Sequence, residues 1–332
     1  MILVTGATGF LGSELVKQLL DLGYAVRALK RETSVIPEIL RNRSGIEWVN
    51  ADILNYFSLE EALEGVNRVY HCAAFISFDA ADKKKLHKIN VEGTANLVNL
   101  CLEKEVEKLI HVSSVAAVGE AKPGLLISER NQWEFTGKEH GYSVAKHESE
   151  MEVWRGIAEG LNAVIVNPSL IIGKNAGILG SGQVFDTVRK GLRFYTAGSV
   201  GLVDVEDVAK SMIALMNEKV SGQRFLLNAE NWSYKEFFAE IARGFGIKPP
   251  EFEAKPWMLG LAWRFTKIAA LFTGKKYAFN AGTARSSLKQ HAYSNEKIKE
   301  AIGIEFKPVK QTIQEICQAL KEHNCEQKLL HY

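Results

Sequence analysis

Short apolar runs alternate with segments of helical spacing along the first half of the chain. The first run, residues 2–5, is apolar and β-branched, which predicts a buried strand. Residues 10–20 follow it with apolar side chains at positions 11, 15, 16, 19 and 20, the pattern of an amphipathic helix. A strand followed by a helix is therefore the first structural unit that the sequence predicts.

The same unit recurs up to residue 167. Further strands are predicted at residues 24–29, 46–49, 68–72, 108–113 and 163–167, with helices between them at 58–63, 82–103 and 142–159. Repeated strand–helix units imply a parallel sheet with right-handed crossovers and helices on both faces. We therefore predict an α/β fold in which a doubly wound parallel sheet binds its ligand at the carboxyl ends of the strands.

The pattern changes after residue 167, where the segments become shorter and richer in glycine. Helices are predicted at 205–217, 233–244 and 310–322, and a basic and aromatic block occupies residues 255–272. We predict that residues 1–168 form the sheet domain. Residues 169–332 are predicted to form mainly a smaller C-terminal substrate-binding cap, with at least one crossover back to the sheet.

Composition and charge argue against several classes of protein. The chain of 332 residues is 46% hydrophobic and 24% charged, as expected of a soluble globular protein. A formal net charge of +2 argues against a nucleic-acid-binding surface, and no apolar run approaches the ~20 residues that span a bilayer. The first predicted strand starts at residue 2, so we expect no targeting segment and a cytoplasmic location.

The cysteines and histidines give no indication of a metal site. Cys72, Cys101, Cys317 and Cys325 lack the intervals typical of zinc or redox sites. The histidines likewise lack metal-ligand spacing. We therefore expect free thiols and no bound metal.

Three glycines, Gly6, Gly9 and Gly12, separate the first strand from the first helix. Glycine permits the sharp exit from the strand, the close approach of a bulky group and the tight packing of helix on strand. The exposed N–H groups at the helix start would bind an anion, and a dinucleotide pyrophosphate fits such a site. A plain strand–turn–helix is the alternative. The turn thus makes residues 1–168 a predicted dinucleotide-binding, Rossmann-type domain.

The end of the second predicted strand bears on the coenzyme. An acidic residue there binds the ribose 2′-hydroxyl of NAD, and a basic residue accepts the 2′-phosphate of NADP. Arg27, Lys30 and Arg31 lie at this strand end, and no acidic residue precedes Glu32. These residues favour NADP, with NAD possible and a solvated basic strand end as the alternative.

Two further stretches follow strand ends. Asp52, before Ile53, is placed where a carboxylate could accept from the adenine amino group, or could cap the next helix. Ala73 and Ala74 follow the fourth strand, where small residues let the backbone pass near a coenzyme. Both stretches are predicted to contact the coenzyme.

Tyr142 and Lys146 are four residues apart at the start of a predicted helix. This spacing places both side chains on one face. An ammonium beside a phenol lowers the pKa of the phenol, which makes Tyr142 a usable general acid and base. Ser114 ends the fifth strand, where its hydroxyl could bind a substrate oxygen or could cap a turn.

Together these motifs resemble those of the extended short-chain dehydrogenase/reductase family of NAD(P)-dependent epimerases, dehydratases and reductases. The matching stretches are residues 5–12, Asp52, 71–74, 90–94, 113–114 with 118–119, Tyr142 with Lys146, 167–168 and 203–209. They occur in family order and cover about the first two-thirds of the chain. The glycine spacing, Gly-x-x-Gly-x-x-Gly, differs from the general dinucleotide fingerprint and agrees with this family.

The resemblance implies roles for single residues. Tyr142 would be the acid/base, Lys146 would bind the nicotinamide ribose and tune Tyr142, and Ser114 would position the substrate oxygen. Asn90 would belong to the supporting hydrogen-bond network, and Pro168 would begin the stretch alongside the nicotinamide ring. The predicted coenzyme contacts are Gly6, Thr8, Gly9, Phe10, Leu11, Gly12, Arg27, Lys30, Arg31, Asp52, Ile53, Ala73, Ala74, Lys146 and Pro168.

The branch within the family follows from finer features. The basic strand end and Asn167-Pro168 in place of Arg-Pro resemble the branch of dihydroflavonol 4-reductase and 3β-hydroxysteroid dehydrogenase more than the sugar epimerases. The aromatic residues of the C-terminal third indicate a lid for an apolar substrate: Trp257, Trp263, Phe265 and Phe272. An interfacial helix on a membrane is the less favoured alternative for that block, since Arg264 and Lys267 interrupt it.

We therefore predict an enzyme, an NAD(P)-dependent oxidoreductase that transfers a hydride between nicotinamide and the carbonyl or secondary alcohol of a small apolar substrate. One alternative is a nucleotide-sugar epimerase or dehydratase with retained NAD. Another is a non-catalytic coenzyme sensor. Apolar surface on the tyrosine helix, together with the helix at 82–103, indicates a homodimer, with a monomer as the alternative.

Overall fold

Seven parallel strands form the central sheet of the computed structural model, which describes residues 1–122, 124–137, 139–177, 180–260, 263 and 286–329. Numbered in chain order, they are β1 (Ile2–Thr5), β2 (Val26–Lys30), β3 (Ile46–Asn50), β4 (Arg68–His71), β5 (Lys108–Val112), β6 (Ala163–Pro168) and β10 (Gln223–Leu227). Their spatial order is β10-β6-β5-β4-β1-β2-β3, and every neighbouring pair is parallel. The carboxyl ends of all seven strands therefore lie along one edge, which we call the carboxyl edge.

Helices cover both faces of the sheet. The first six are α1 (Phe10–Asp21), α2 (Tyr56–Ala62), α3 (Lys83–Leu86), α4 (Gly93–Glu103), α5 (Gly141–Ala158) and α6 (Gly182–Arg189). The others are α7 (Val205–Asn217), α8 (Tyr234–Phe245), α9 (Glu296–Ile302) and α10 (Val309–Leu329). Alternate residues of β1 enter different cores: Val4 packs with residues of α1 and α7, and Leu3 with residues of α2, α4 and α5. This two-sided packing confirms the predicted doubly wound α/β fold.

Several element bounds differ from the predicted ones for local reasons. β2 begins at Val26, because Gly23 and Tyr24 donate to carbonyls of α1 and complete the turn that ends it. α2 begins at Tyr56, because the Asn55 side chain accepts from the Ser58 amide and caps the helix. The predicted helix at 82–103 is interrupted by a π-helical segment, His87–Glu92, between α3 and α4.

After residue 168 the chain forms smaller sheets and returns once to the large one. β7 (Leu170–Ile172), β9 (Ser199–Asp204) and β11 (Glu230–Ser233) form a three-stranded sheet, and β8 (Phe194–Tyr195) pairs with β12 (Phe252–Glu253). A third apolar cluster joins α6, α8 and α10 through residues such as Phe185, Phe237 and Ile313. The return to the main sheet is β10, so the domain boundary near residue 168 stays a prediction.

The predicted aromatic lid falls mostly outside the described residues, where Arg264, Phe265, Lys267 and Phe272 lie. Trp257 is described and 65% exposed, and Trp263 packs against Ala254 and Leu259. Within the described part of the chain, no helix is long and apolar enough to cross a membrane.

Candidate active site

The glycine turn between β1 and α1 packs backbone directly on backbone. Gly6 has a φ of +67°, in the left-handed region, and a Cβ there would lie 2.6 Å from the Ala73 nitrogen. A Cβ on Gly12 would overlap the carbonyl oxygen of Gly6. The Gly9 amide closes the turn by donating to that same oxygen at 2.9 Å. Glycine is required at Gly6 and Gly12 because backbone atoms occupy the space of a side chain.

The shape of the turn fits a dinucleotide pyrophosphate. Gly9 is the exposed N-cap residue of α1 and has no side chain to bond the N–H groups of the first turn. Those groups and the helix dipole attract an anion. Thr8 and Phe10, beside it, are half-buried, whereas the Leu11 side chain belongs to the hydrophobic core. Leu11 could therefore contact a coenzyme through its backbone only.

Arg27 is one of the predicted coenzyme contacts, but in the structure its side chain bonds to other parts of the protein. It is the second residue of β2, about 10 Å before the carboxyl end at the usual rise per strand residue. Its guanidinium donates to the carbonyls of Ala62 and Glu64 at 2.9 and 2.7 Å and pairs with Glu47. Arg27 thus bonds to β3 and the end of α2, away from the edge where a coenzyme would lie.

Lys30 and Arg31 do lie at the carboxyl edge. Lys30 ends β2 and donates to Asn50 Oδ1 at 2.6 Å across the strand pair. Arg31 follows it and is exposed. The structure leaves these two cations as the candidates for binding a 2′-phosphate.

Asp52 and Ile53 follow β3 at the same edge. Asp52 is exposed, and one of its oxygens accepts from the Leu54 amide at 2.9 Å. It shapes this turn but does not cap α2, whose N-cap is Asn55. Ile53 is buried, and its Cδ1 would lie 2.6 Å from a Cβ on Gly93. Close packing therefore joins this turn to the start of α4.

A buried chain of hydrogen bonds links β1 to the π-helical turn. Thr94 donates to the Asn90 carbonyl, so its oxygen is left to accept from His71 Nε2 at 3.0 Å. His71 Nδ1 then accepts from the Thr5 hydroxyl at 2.7 Å, and Thr5 accepts from the Ala73 amide at 3.1 Å. This direction requires neutral His71, and burial lowers the pKa of His71 to about 3.

Asn90 binds the segment that follows β4. Its Oδ1 accepts from the Phe75 amide at 2.7 Å, and its Nδ2 donates to the Phe75 carbonyl at 2.9 Å. Ala73 and Ala74 lie just before this clamp, between the glycine turn and the π-helical turn. Asn90 therefore orders backbone near the site, the supporting position that its predicted role requires.

Ser114, Tyr142 and Lys146 meet at the carboxyl ends of β5 and β6. Tyr142 is in the first turn of α5, and Lys146 is one turn later. Lys146 is 3% exposed, and its ammonium donates to the Val112 carbonyl at 2.8 Å. Ser114 accepts from the Ala116 amide at 3.2 Å and also hydrogen-bonds Tyr142. The three predicted catalytic groups are thus brought together.

The surroundings change the acidity of two of these groups. Burial raises the pKa of Tyr142 above its ordinary value, the opposite of the predicted lowering by Lys146, and the hydrogen bond from Ser114 partly opposes this rise. Burial lowers the pKa of Lys146 to about 8, and the negative charge of Glu150 opposes this. Such shifts by burial and a charged neighbour are typical of functional sites.

Apolar side chains border the tyrosine. The Phe78 ring lies 5.5 Å from that of Tyr142 and 6.0 Å from that of His140. Phe78 is 43% exposed, and Ile76 is 62% exposed. Both belong to the segment that Asn90 binds through Phe75, and Phe78 places an apolar ring next to the candidate acid/base.

Pro168 is the last residue of β6, next to these groups. The preceding Asn167 donates to the Ser114 carbonyl at 3.0 Å. The next residue, Ser169, is buried, and its hydroxyl has no hydrogen-bond partner within the described ranges. A buried polar atom without a partner is unusual, and it fits a position beside a polar ligand group. Among the described residues, no group of three or more His, Cys, Asp or Glu could hold a metal ion.

The sequence matches the model of the NAD-dependent epimerase/dehydratase family over residues 2–227. The chain belongs to this family. A Synechocystis relative provisionally named dihydroflavonol 4-reductase is 30% identical over 327 residues, covering 96% of this chain and 94% of the relative. Cinnamoyl-CoA reductase 1 of Petunia hybrida is 28% identical over 340 residues, covering 97% and 92%. The solved structure of gox2253 is 29% identical, with a TM-score of 0.84 and coverage of 97% and 98%.

Family membership confirms the predicted resemblance and its main consequence. The protein is an NAD(P)-dependent oxidoreductase of the extended short-chain dehydrogenase/reductase type, and its coenzyme is a nicotinamide dinucleotide. Sequence spacing predicts neither Glu150 nor Phe78 as a site residue. Glu150 could have been found, because it lies four residues after Lys146 on the same helix. No local pattern identifies Phe78, which lies in an irregular segment.

Proposed function

We propose that the protein is an NADP-dependent carbonyl reductase or alcohol dehydrogenase acting on a small apolar substrate. The observation that carries this proposal is the meeting of Tyr142, Lys146 and Ser114 at the carboxyl edge, beside a turn that fits a pyrophosphate. The predicted roles of these residues follow from their chemistry and position.

The residues divide the work of the reaction. A bound nicotinamide supplies or accepts the hydride. For reduction, the Ser114 hydroxyl donates to the substrate carbonyl oxygen, which orients the carbonyl and polarises it. The Tyr142 hydroxyl gives its proton to that oxygen as the carbonyl carbon gains the electron pair. The Lys146 ammonium stabilises the phenolate that remains. Oxidation of the alcohol runs through the same groups in reverse.

The preference for NADP rests on Lys30 and Arg31. They are cations at the end of β2, and no acidic residue precedes Glu32 there. A 2′-phosphate would gain charge-assisted hydrogen bonds from them. Comparing the dissociation constants of NADPH and NADH tests this, and tighter binding of NADH would refute it.

The apolar substrate is supported by two observations. Phe78 stands beside Tyr142 as an exposed apolar side chain, and Ile76, two residues earlier, is also exposed. The names of the relatives, dihydroflavonol 4-reductase and cinnamoyl-CoA reductase, describe reductases of substrates with aromatic rings. We therefore expect carbonyls attached to apolar or aromatic groups to be reduced faster than small polar carbonyls.

The family name also includes epimerases and dehydratases, which supports a second candidate, a nucleotide-sugar enzyme with retained NAD. The absorbance spectrum of the purified protein separates the two. A reductase is expected to be isolated without stoichiometric coenzyme and to oxidise NADPH with a panel of carbonyls, followed at 340 nm. Retained NAD without net turnover would favour the sugar enzyme. Binding of both NADP and NADPH without turnover of any carbonyl would favour a coenzyme sensor.

Assembly and location are part of the same proposal. α4 and α5 pack side by side, and Met151 on α5 is 48% exposed, so these two helices could form a homodimer contact. Light scattering after gel filtration would test it, with a monomer mass as the contrary result. Cytoplasmic location stays a prediction from the sequence.

A further inference from the structure

Glu150 is a fully buried carboxylate that bonds to Ser113, at the end of β5, and to Asn167, in the neighbouring strand β6. It is 1% exposed. Its Oε2 accepts from Ser113 Oγ and from Asn167 Nδ2, each at 2.7 Å. Asn167 Nδ2 also donates to the Ser114 carbonyl at 3.0 Å. The carboxylate therefore holds the side chain that precedes Ser114 and the amide that binds the Ser114 backbone.

The other oxygen of Glu150 also meets donors. Trp154 Nε1 and Arg224 Nη1 lie 3.2 Å from Oε1. Tryptophan and arginine can only donate, and Asn167 presents its nitrogen because both of its partners are acceptors. Three of the four partners, Trp154, Arg224 and the Asn167 amide nitrogen, can only donate to Glu150, which suits the acceptor-only carboxylate form. Charge-assisted bonds of this kind are the strongest in a protein interior.

The charge of Glu150 acts on Lys146, which is one helical turn earlier on α5 and buried. The other titratable groups around Lys146 are Tyr142, His71, Cys72 and His111. Burial lowers the pKa of both histidines and raises the pKa of Cys72 and of Tyr142. All four groups are therefore neutral near pH 8.

Two more groups face Glu150. Arg224, from β10, is the positive partner of its carboxylate. His147 lies next to Lys146 on α5, and burial lowers the pKa of His147, so it too is neutral near pH 8. Glu150 and Cys72 both oppose the lowering of the Lys146 pKa, with Glu150 the larger of the two, and the Cys72 thiol is neutral near pH 8 because burial raises its pKa to about 12.

We propose that Glu150 is a positioning residue of the active site, whose carboxylate aligns Ser114 through Ser113 and Asn167 and whose charge keeps Lys146 protonated. This inference rests on the proposed function, because it assigns Glu150 to the same catalytic groups. Arg224 also donates to the carbonyls of Glu129 and Asn131, so the same network joins β10 to the segment before α5.

The charge can be tested without any substrate. The protein free of coenzyme is labelled with ¹³C at lysine Cε, the Lys146 signal is assigned with Lys146→Arg, and its titration is followed by NMR. Glu150→Gln is expected to lower the midpoint by about one pH unit, which corresponds to tenfold less ammonium on the alkaline side. Glu150→Asp should leave the midpoint near that of the wild type. Arg224→Gln should raise it, because Glu150 then loses the cation that balances its charge.

The matched control is Glu152→Gln on the same helix, where Glu152 pairs with Arg155 at the surface. It should leave the Lys146 midpoint unchanged. An unchanged midpoint in Glu150→Gln would overturn the electrostatic half of the proposal. If Glu150→Gln does not fold, an unchanged midpoint in Arg224→Gln would overturn it equally, because Arg224 pairs with Glu150 and its loss should strengthen the effect of that carboxylate on Lys146.

Steady-state kinetics test the positioning half. Glu150→Asp retains the charge but is one methylene shorter, so kcat is expected to fall about tenfold. The KM for NADPH and the alkaline limb of the pH profile of kcat should stay as in the wild type. In Glu150→Gln the alkaline limb of kcat should move to lower pH. Full kcat in Glu150→Asp would overturn the positioning role. If no carbonyl is reduced by the wild type, the proposed function fails, whereas the NMR titration still decides on the charge.

Discussion

The two ends of the carboxyl edge are built in different ways. At the coenzyme end, backbone packs on backbone, since any Cβ on Gly6 or Gly12 would collide with main-chain atoms. At the catalytic end, buried side chains satisfy one another, as Glu150 does with Asn167. The first construction cannot accept an added atom, and the second cannot lose a partner without leaving a buried polar group unpaired.

Because of this difference, substitutions at the two ends should change different properties of the protein. Substitutions at the glycine turn should act through sterics, and so through folding and coenzyme binding. Substitutions in the catalytic network should act through protonation and orientation, and so through turnover and its pH dependence. The two ends can therefore be compared by these separate measurements.

The largest effect is expected for Tyr142→Phe at the catalytic end. Loss of the acid/base should lower kcat about 10²- to 10⁴-fold and leave the dissociation constant of NADPH as in the wild type, because the ring and its packing on Phe78 remain. Tyr56→Phe is the matched control, since it also removes a tyrosine hydroxyl, and that hydroxyl bonds Glu103 at the end of α4 and none of the catalytic groups. Full turnover in Tyr142→Phe would refute the assigned mechanism.

At the coenzyme end, Gly12→Ala should act on stability. Its Cβ would overlap the Gly6 carbonyl, and overpacking of this kind costs about 1–3 kcal/mol in free energy of unfolding. Gly9→Ala is the comparison, because a Cβ there would lie 3.2 Å from the nearest atom. It should fold normally and weaken NADPH binding, as measured by denaturant unfolding and fluorescence titration. Equal stability losses in both variants would contradict the steric account.

His71 lies between the two ends, and its effect should appear as a pH dependence of stability. Burial lowers its pKa to about 3 from an ordinary value of 6.5. Below pH 6.5 the unfolded chain binds a proton that the folded protein does not, so stability is lost as the pH falls from 6.5 towards 3. At pH 5 this loss is about 2 kcal/mol.

Urea unfolding at several pH values would measure this loss. His71→Gln should reduce the slope of the free energy of unfolding against pH between 6.5 and 4, even though it lowers the stability itself. His87→Gln, at a residue whose side chain is 53% exposed, is the control and should keep the wild-type slope. An unchanged slope in His71→Gln would show that other groups cause the acid sensitivity.

Local patterns account for what could be predicted from the sequence. The strands, the glycine turn and the Tyr142–Lys146 pair follow from periodicity and spacing within a few residues. The same spacing rule misplaces Arg27, because a one-dimensional pattern does not show that it lies early in β2 and bonds to the end of α2. Of the three basic residues, Arg27 lies within β2, and Lys30 and Arg31 lie at its carboxyl end.

Contacts between distant parts of the chain account for what was not predictable. Glu150 gains its role from Ser113, Asn167 and Arg224, which come from three different strands or strand ends. The π-helical turn that carries Asn90 arises within a continuous helical pattern. Such features depend on tertiary packing, which overrides local preference.

The smallest effect is expected at the end of β2, and it tests the corrected set of coenzyme contacts. Arg31 is exposed, so a bond to a 2′-phosphate should contribute up to about 1 kcal/mol, which is roughly fivefold in affinity. Arg31→Ala should therefore weaken NADPH binding by that factor and leave NADH binding unchanged. Arg27→Ala is the matched control, because its guanidinium bonds to Ala62, Glu64 and Glu47. It should lower stability without changing the ratio of NADPH to NADH affinity. If Arg27→Ala lowers that ratio and Arg31→Ala does not, the strand-end assignment is reversed.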